Sequence, residues 1–152
     1  LITGYAELGH TQQALLCYEQ MCFNDVLPST ITYICSLKAC ASIGSLEIGE
    51  EIAVEVTKQG FLKNDVVVGT ALIDMYILCG ALEKAQEVFD ELPVRDVISW
   101  NSLIAGYVGR GLCHEALNCL ELMQSECLSP SILTLIGIVR VCGSTEIYTK
   151  RN

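Results

Sequence analysis

Residues 97–131 read VISWNSLIAGYVGRGLCHEALNCLELMQSECLSPS, and this stretch carries two apolar stripes with helical spacing. The first stripe, Trp100–Val108, has apolar residues at i, i+3, i+4, i+7 and i+8, which is typical of a helix with one buried face. The second stripe covers Ala116–Met123. Because glycines lie between the stripes and Pro130 follows them, the stretch predicts two antiparallel helices joined by a tight turn.

The same pattern recurs along the chain. Leu1–Tyr5 reads LITGY and Leu103–Tyr107 reads LIAGY, so two nearly identical pentapeptides lie 102 residues apart. Glycines that end the first stripe of each copy follow one another at steps of 35, 36 and 31 residues; they are Gly9, Gly44, Gly80 and Gly111. Self-similarity at roughly 20–50 residues is typical of stacked repeats. We therefore expect an all-α fold, an α-solenoid of stacked antiparallel helix hairpins.

The spacing divides the chain into five segments. Residues 1–29 form a partial repeat that lacks its start, residues 30–65, 66–96 and 97–131 form full repeats, and residues 132–152 form a partial repeat with a divergent tail. Since the first segment begins within a helical pattern, we expect the chain to be a piece of a longer array.

Small residues recur at one position of the second helix in each repeat. They are Ala14, Gly49, Ala85 and Ala116. Because a larger side chain would hold two backbones apart, we expect the paired helices of each hairpin to cross at these positions.

The composition is apolar and acidic. Of the 152 residues, 51% are hydrophobic, the mean hydropathy is +0.43, the net charge is −9 and the pI is about 4.5. No stretch reaches the roughly 18 uninterrupted apolar residues of a membrane span, so we expect no membrane partner. The second helices of the repeats carry twelve acidic residues and two lysines, whereas the first helices have a net charge of +2. If the two sets line opposite walls, the inner wall is near neutral, which disfavours non-specific binding to a phosphate backbone.

The nine cysteines include no CxxC pair; they are Cys17, Cys22, Cys35, Cys40, Cys79, Cys113, Cys119, Cys127 and Cys142. The two histidines, His10 and His114, both lie beside predicted turns, so we expect no metal site. Cys40 and Cys142 share a repeat position with tyrosines of other repeats. The cysteines are therefore predicted to be buried small hydrophobic residues in a reducing compartment, without disulfides.

Four stretches carry more specific motifs; they are Cys40–Glu50 (CASIGSLEIGE), Ala71–Gly80 (ALIDMYILCG), Ala85–Pro93 (AQEVFDELP) and Asp96–Tyr107 (DVISWNSLIAGY). Over about residues 1–142 the chain resembles the plant pentatricopeptide repeat family, and its steps of 35, 36 and 31 residues resemble the P, L and S repeat variants of organellar RNA-processing and C-to-U editing factors. By this resemblance residues 1–29 and 97–131 are P-like, 30–65 L-like and 66–96 S-like. The resemblance implies a superhelix like that of the related tetratricopeptide repeat, whose unit is a uniform 34 residues.

The resemblance also implies that each repeat meets one base of single-stranded RNA through two side chains. One lies near the start of the first helix and the other at the end of the repeat. Asn101 and Ser131 resemble the family's pyrimidine readers, favouring cytosine, and Thr70 and Asp96 resemble its guanine readers.

Further positions follow from the same resemblance. Val67 and Ile98 match residues that hold the base between adjacent repeats. The second repeat has apolar Ile34 at the first reading position, and the truncated first repeat keeps only Ser29. The alternative for the polar readers is that Asn101, Thr70 and Asp96 cap the first helices, since such side chains accept backbone N–H bonds at helix starts.

The sequence offers no catalytic constellation. The editing deaminase of some family members needs an HxE and a PCxxC, whereas His114-Glu115 lacks that spacing and no CxxC occurs. We therefore expect a non-enzymatic segment with no cofactor or small-molecule substrate. The family resemblance implies that it binds single-stranded organellar RNA in a mitochondrion or chloroplast, with editing or processing proteins as further partners. The alternatives are a protein-binding α-solenoid scaffold that uses the acidic outer face, and a truncated gene product without independent function.

Overall fold

The computed structural model describes residues 1–149, and helices are the only regular elements in that range. The all-α prediction is confirmed. The helices are α1 (Ile2–Glu7), α2 (Thr11–Phe23), α3 (Thr30–Ile43), α4 (Leu46–Lys58), α5 (Phe61–Asn64), α6 (Val66–Leu78), α7 (Leu82–Glu91), α8 (Val97–Gly109), α9 (Cys113–Ser125) and α10 (Ile132–Thr149). The first helices of the predicted repeats begin at Thr30, Val66, Val97 and Ile132. The division into repeats itself remains a prediction.

The recurring glycines lie in the turns within the hairpins. Gly9, Gly44, Gly80 and Gly111 all have positive φ, between 70° and 81°. This left-handed conformation ends a helix without steric cost only when the residue has no Cβ. The glycine spacing seen in the sequence therefore marks the positions at which the first helices end.

The described chain forms two compact units, of which the first is Leu1–Val94. In this unit the consecutive first helices α1, α3 and α6 pack against one another, and each second helix packs against its own first helix. The core contains large side chains from both sets, including Tyr33, Leu37, Ile52 and Leu72. The short helix α5, which the repeat pattern did not predict, packs on α4 and α6.

The second unit begins at Arg95, and its helices α8 and α9 form the hairpin predicted from residues 97–131. Trp100, Leu103 and Ile104 of the first stripe and Met123 of the second are buried, as predicted. The indole Nε1–H of Trp100 donates to Glu126 Oε2 at 2.9 Å, so the largest side chain of the unit buries no unpaired donor. Helix α10 contacts both α8 and α9.

The recurring small residues are all fully buried, but one of them serves a different contact from the one predicted. Ala14, Ala85 and Ala116 have no exposed surface. At Gly49 a Cβ would lie 2.5 Å from the Sδ atom of Met75, which belongs to α6. Gly49 thus permits close packing on the first helix of the next repeat, not on its hairpin partner α3, because a second helix contacts both neighbours in a stack.

The prediction for the cysteines is wrong in most cases. Cys113, at the start of α9, forms a disulfide with Cys142 of α10, and their Cα atoms lie 5.5 Å apart. Of the seven free cysteines, Cys40 and Cys119 alone are buried. Burial raises the pKa of the Cys40 thiol to about 12, so that this side chain does act as a small hydrophobic residue. Repeat position could not predict the disulfide, because it depends on how α10 packs on α9.

Neither a membrane span nor a metal site is present among the described residues. No helix among them is long and apolar enough to cross a bilayer. No group of three or more His, Cys, Asp or Glu side chains among them has the arrangement of a metal site.

The disulfide predicts a measurable stabilisation. For cysteines 29 residues apart in sequence, the lost loop entropy of the unfolded chain corresponds to roughly 3–4 kcal/mol. We expect Cys142→Ser to lower the free energy of unfolding of the second unit by about this amount under oxidising conditions. Urea denaturation followed by the fluorescence of Trp100, the single tryptophan, measures the change.

Cys127→Ser is the matched control, because Cys127 is free and exposed. It should leave the urea midpoint unchanged, and excess reductant should bring the original chain close to Cys142→Ser. Equal stability of Cys142→Ser and the original chain in the absence of reductant would contradict the expectation.

Candidate nucleic-acid interface

The predicted first readers occupy one helical position. Thr70 is the fifth residue of α6 and Asn101 is the fifth residue of α8, and apolar Ile34 takes the same place in α3. Neither polar residue caps its helix, because the caps are Asp65 and Asp96. The capping alternative is therefore wrong for Thr70 and Asn101.

The residues at the second reading position are the helix caps themselves. Asp96 Oδ1 accepts from the backbone N–H of Ser99 at 2.8 Å, and Ser99 Oγ donates back to the Asp96 carbonyl at 2.9 Å. The capping role of Asp96 is confirmed. The same kind of bond is made at the starts of α3, α6 and α10 by Ser29, Asp65 and Ser131. Each of these side chains is held in place by the start of the next helix.

Asn101 and Ser131 are brought together in the second unit. Asn101 Oδ1 accepts from the backbone N–H of Ser131 at 3.2 Å and from Thr134 Oγ1 at 2.8 Å. A backbone N–H can only donate, so the Asn101 atom that faces it is the carbonyl oxygen. The amide Nδ2 of Asn101, with its two hydrogens, has no partner among the residues that the structure describes. Asn101 is half-buried, so this donor group is held on a fixed side chain and not on a mobile one.

Thr134 is a site residue that the sequence analysis missed. Its backbone N–H donates to Ser131 Oγ at 3.1 Å, and the two hydroxyl oxygens lie 2.8 Å apart. Thr134 is buried, and its hydroxyl group hydrogen-bonds to both Asn101 and Ser131. The signal was present, since Ser29 and Thr32 repeat the same Ser-x-x-Thr spacing and make the same hydroxyl contact at 3.0 Å.

Thr70 has a more restricted environment. It is 8% exposed, and its hydroxyl donates to the Val66 carbonyl one turn earlier at 2.9 Å. With its hydrogen used in this bond, the oxygen retains acceptor capacity only. Thr70 belongs to the first unit and Asp96 to the second, and their pairing remains a prediction.

The two predicted base-holding residues are apolar side chains kept outside the core. Val67 is 60% exposed and Ile98 is 64% exposed, and each is the second residue of its helix. Ile31 and Leu133, at the second position of α3 and α10, are exposed as well. A repeated apolar residue that the core does not use is available to cover the flat face of a base.

The interface is chemically mixed at its two predicted pairs. The cluster of Asn101, Ser131 and Thr134 contains amide and hydroxyl groups only, so it can distinguish ligands through the direction of hydrogen bonds. Asp96 contributes a carboxylate, whose second oxygen can accept from donors outside the helix start. Neither pair depends on a positive charge, which agrees with the near-neutral first helices.

The chain matches the family model described as the PPR repeat over residues 1–26, 70–97 and 98–128, which is more than half of its length. The chain therefore belongs to the pentatricopeptide repeat family.

Curated relatives agree with this assignment. A chloroplastic pentatricopeptide repeat-containing protein of Arabidopsis thaliana is 43% identical over 91% of this chain, and another is 37% identical over 93%. A mitochondrial member from the same plant is 35% identical over 94% of the chain. The chain spans 26%, 16% and 25% of the lengths of these three relatives.

Solved structures show the same fold. The pentatricopeptide repeat protein PPR10, in complex with an 18-nt psaJ RNA element, matches 93% of this chain with a TM-score of 0.80 and 21% identity. PPR10 from maize matches 95% with a TM-score of 0.68 and 22% identity. The matches cover 21% of the PPR10 chain in each case. The similarity confirms the predicted fold class, an α-solenoid of helix hairpins.

The caps at the second reading position give a prediction about stability. Asp96→Ala removes the acceptor for the Ser99 N–H and should lower the free energy of unfolding of the second unit by about 1 kcal/mol, within a range of roughly 0.5–2. Asp96→Asn keeps an acceptor oxygen and should lower the free energy of unfolding by only a small fraction of that amount. Urea titration with Trp100 fluorescence measures both variants, and equal losses for the two would show that the cap bond is not the stabilising contact.

Proposed function

We propose that the chain binds single-stranded RNA in a sequence-specific manner, as a segment of an organellar RNA-processing or C-to-U RNA editing factor. Family membership supports the proposal, and so does the RNA bound by PPR10. The chloroplastic and mitochondrial names of the relatives support a chloroplast or mitochondrion as the location. The chain acts as a reader, and any reaction is carried out by another domain or by editing or processing proteins that it recruits.

The observation that carries the proposal is the amide donor of Asn101. Its oxygen is used by Ser131 and Thr134, so the group that it leaves for a ligand is the N–H pair. Cytosine carries acceptors at O2 and N3, which match a hydrogen-bond donor of this kind. Purines can be discriminated against by size, since Ser131 is fixed beside Asn101. The pair of Asn101 and Ser131 therefore favours a pyrimidine. Uracil also presents carbonyl acceptors, so the choice of cytosine rests on the resemblance of this pair to the family's pyrimidine readers.

The second pair offers acceptors instead of donors. Asp96 uses one carboxylate oxygen as a helix cap and keeps the other, and the Thr70 hydroxyl has donated its hydrogen to Val66. Guanine carries N1–H and N2–H donors on its Watson–Crick edge, which suit two acceptors. Val67 and Ile98 then cover the faces of the bases. With Ile34 at its first position, the second repeat makes no polar contact of this type.

The expected binding free energies determine how RNA binding must be tested. Two base contacts at ~1–3 kcal/mol each give roughly 2–6 kcal/mol. Association costs an estimated ~4–15 kcal/mol, so the 152-residue chain should bind RNA weakly. Titrations must therefore reach high RNA concentration, and base preference is more informative than affinity.

We expect the 152-residue chain to prefer RNA hexamers that contain G followed by C, in the 5′-to-3′ direction, over hexamers in which this C is replaced by G or A. Chemical-shift changes of the labelled protein on titration with each hexamer measure the preference. Asn101→Asp replaces the outward amide with an oxygen and keeps an acceptor for Ser131, so it should abolish the preference for cytosine. The expected loss is about 5- to 100-fold in relative affinity, from ~1–3 kcal/mol per base.

Asn118→Asp is the matched control, because it makes the same change at an exposed position of α9. Because it adds a negative charge, it should slightly weaken the binding of all hexamers and leave the preference for cytosine unchanged. If Asn101→Asp and Asn118→Asp behave alike, the proposed pairing of Asn101 with cytosine is wrong.

A further inference from the structure

An apolar groove of about 760 Å³ is present in the first unit, lined by α2, α4 and the turn before α3. Tyr18 is its buried member, and the Tyr18 ring lies 6.3 Å from the ring of the core residue Tyr33. Phe23 and Leu27 line the groove while being 88% and 74% exposed. Large apolar side chains that share one concave surface mark a binding site for another molecule.

The polar residues around this groove have one sign of charge. Glu19, Asp25, Glu51 and Glu55 all line it, and none of the described lining residues is basic. Four carboxylates around an apolar concavity concentrate negative potential there. RNA and anionic lipid are disfavoured as occupants by this potential, whereas a ligand that is both cationic and apolar is favoured.

The next repeat has a comparable groove with a different balance of charge. This second groove, of about 430 Å³, contains Lys58 and Lys84 among its lining residues. Lys84 forms an ion pair with Glu50, which also lines it. The uncompensated acidic rim is therefore a property of the first groove and not a general result of stacking acidic second helices.

We propose that the first groove docks a basic amphipathic helix of a protein partner. The apolar face of such a helix would pack on Phe23 and Leu27, and its Lys or Arg side chains would reach the carboxylates on the rim. This is the helix-in-groove mode, in which apolar anchors at helical spacing enter a groove and charges outside it set specificity. A second copy of this chain is a poor occupant, because it has 18 acidic residues and only nine Lys and Arg. The inference goes beyond RNA binding and does not depend on it.

The probe is a labelled synthetic helix of about 18 residues, or roughly five turns, with Leu and Phe on one face and Lys on the other. The matched peptide carries Glu in place of every Lys. Fluorescence anisotropy with the 152-residue chain should show binding of the basic peptide only, weakened by added salt. Phe23→Ala should weaken it about tenfold or more. Glu19→Gln with Glu51→Gln should weaken it about fivefold, and these exposed positions leave the core intact.

Controls on α9 make comparable changes away from the groove. Leu122→Ala and Glu115→Gln both alter exposed residues and should leave binding unchanged. The proposal is overturned if the peptide does not bind, if the acidic peptide binds equally well, or if the α9 variants lose as much affinity as the groove variants. Self-association that disappears in Phe23→Ala, seen by sedimentation, would also overturn it by making a second copy the occupant. Asn101→Asp should not change peptide binding, so this proposal and the RNA proposal fail separately.

Discussion

The structure depends on the way in which the first helices α3, α6, α8 and α10 start. A helix leaves its first backbone N–H groups without partners, and here a Ser or Asp side chain directly before the helix accepts one or more of them. By the predicted division of the chain, that residue is also the last of the preceding repeat. Its side chain is therefore held by a hydrogen bond to the helix of the next repeat and not by its own repeat. The orientation of this side chain thus depends on the geometry of the neighbouring repeat. The side chains at the predicted second reading position are held in place by this bond.

Much of the fold follows from periodicity alone. The stripe that begins at Trp100 and the glycines with positive φ are enough to place α8, α9 and the turn between them. The contacts that periodicity missed are those that join elements through side chains of different kinds. From the sequence, Glu126 is expected to lie on a solvated acidic helix face. It instead accepts a hydrogen bond from the indole N–H of Trp100, because it directly follows the end of α9. Thr134 was overlooked for a similar reason, since its role depends on Asn101, which is 33 residues away.

The candidate site was predictable to different degrees at its two pairs. Asn101 and Ser131 were named from family resemblance, and the structure joins them through a hydrogen bond that neither residue reveals in sequence. For Asp96 the family resemblance predicts a base-reading role, and the capping propensity predicts a role as a helix cap. Only the capping role follows from backbone geometry. The cysteines were the poorest guide. Repeat position made Cys142 equivalent to buried Cys40, although Cys142 lies in the last described helix and meets Cys113 instead.

The fifth position of the first helices shows what this architecture makes easy. Isoleucine, threonine and asparagine occupy it in α3, α6 and α8, and each of these helices begins after a Ser or Asp cap and has 13 or 14 residues. A change of chemistry at this place therefore leaves the folding of the helix untouched. If this position reads a ligand, as proposed, its preference can change in one helix while the packing of the other helices stays constant.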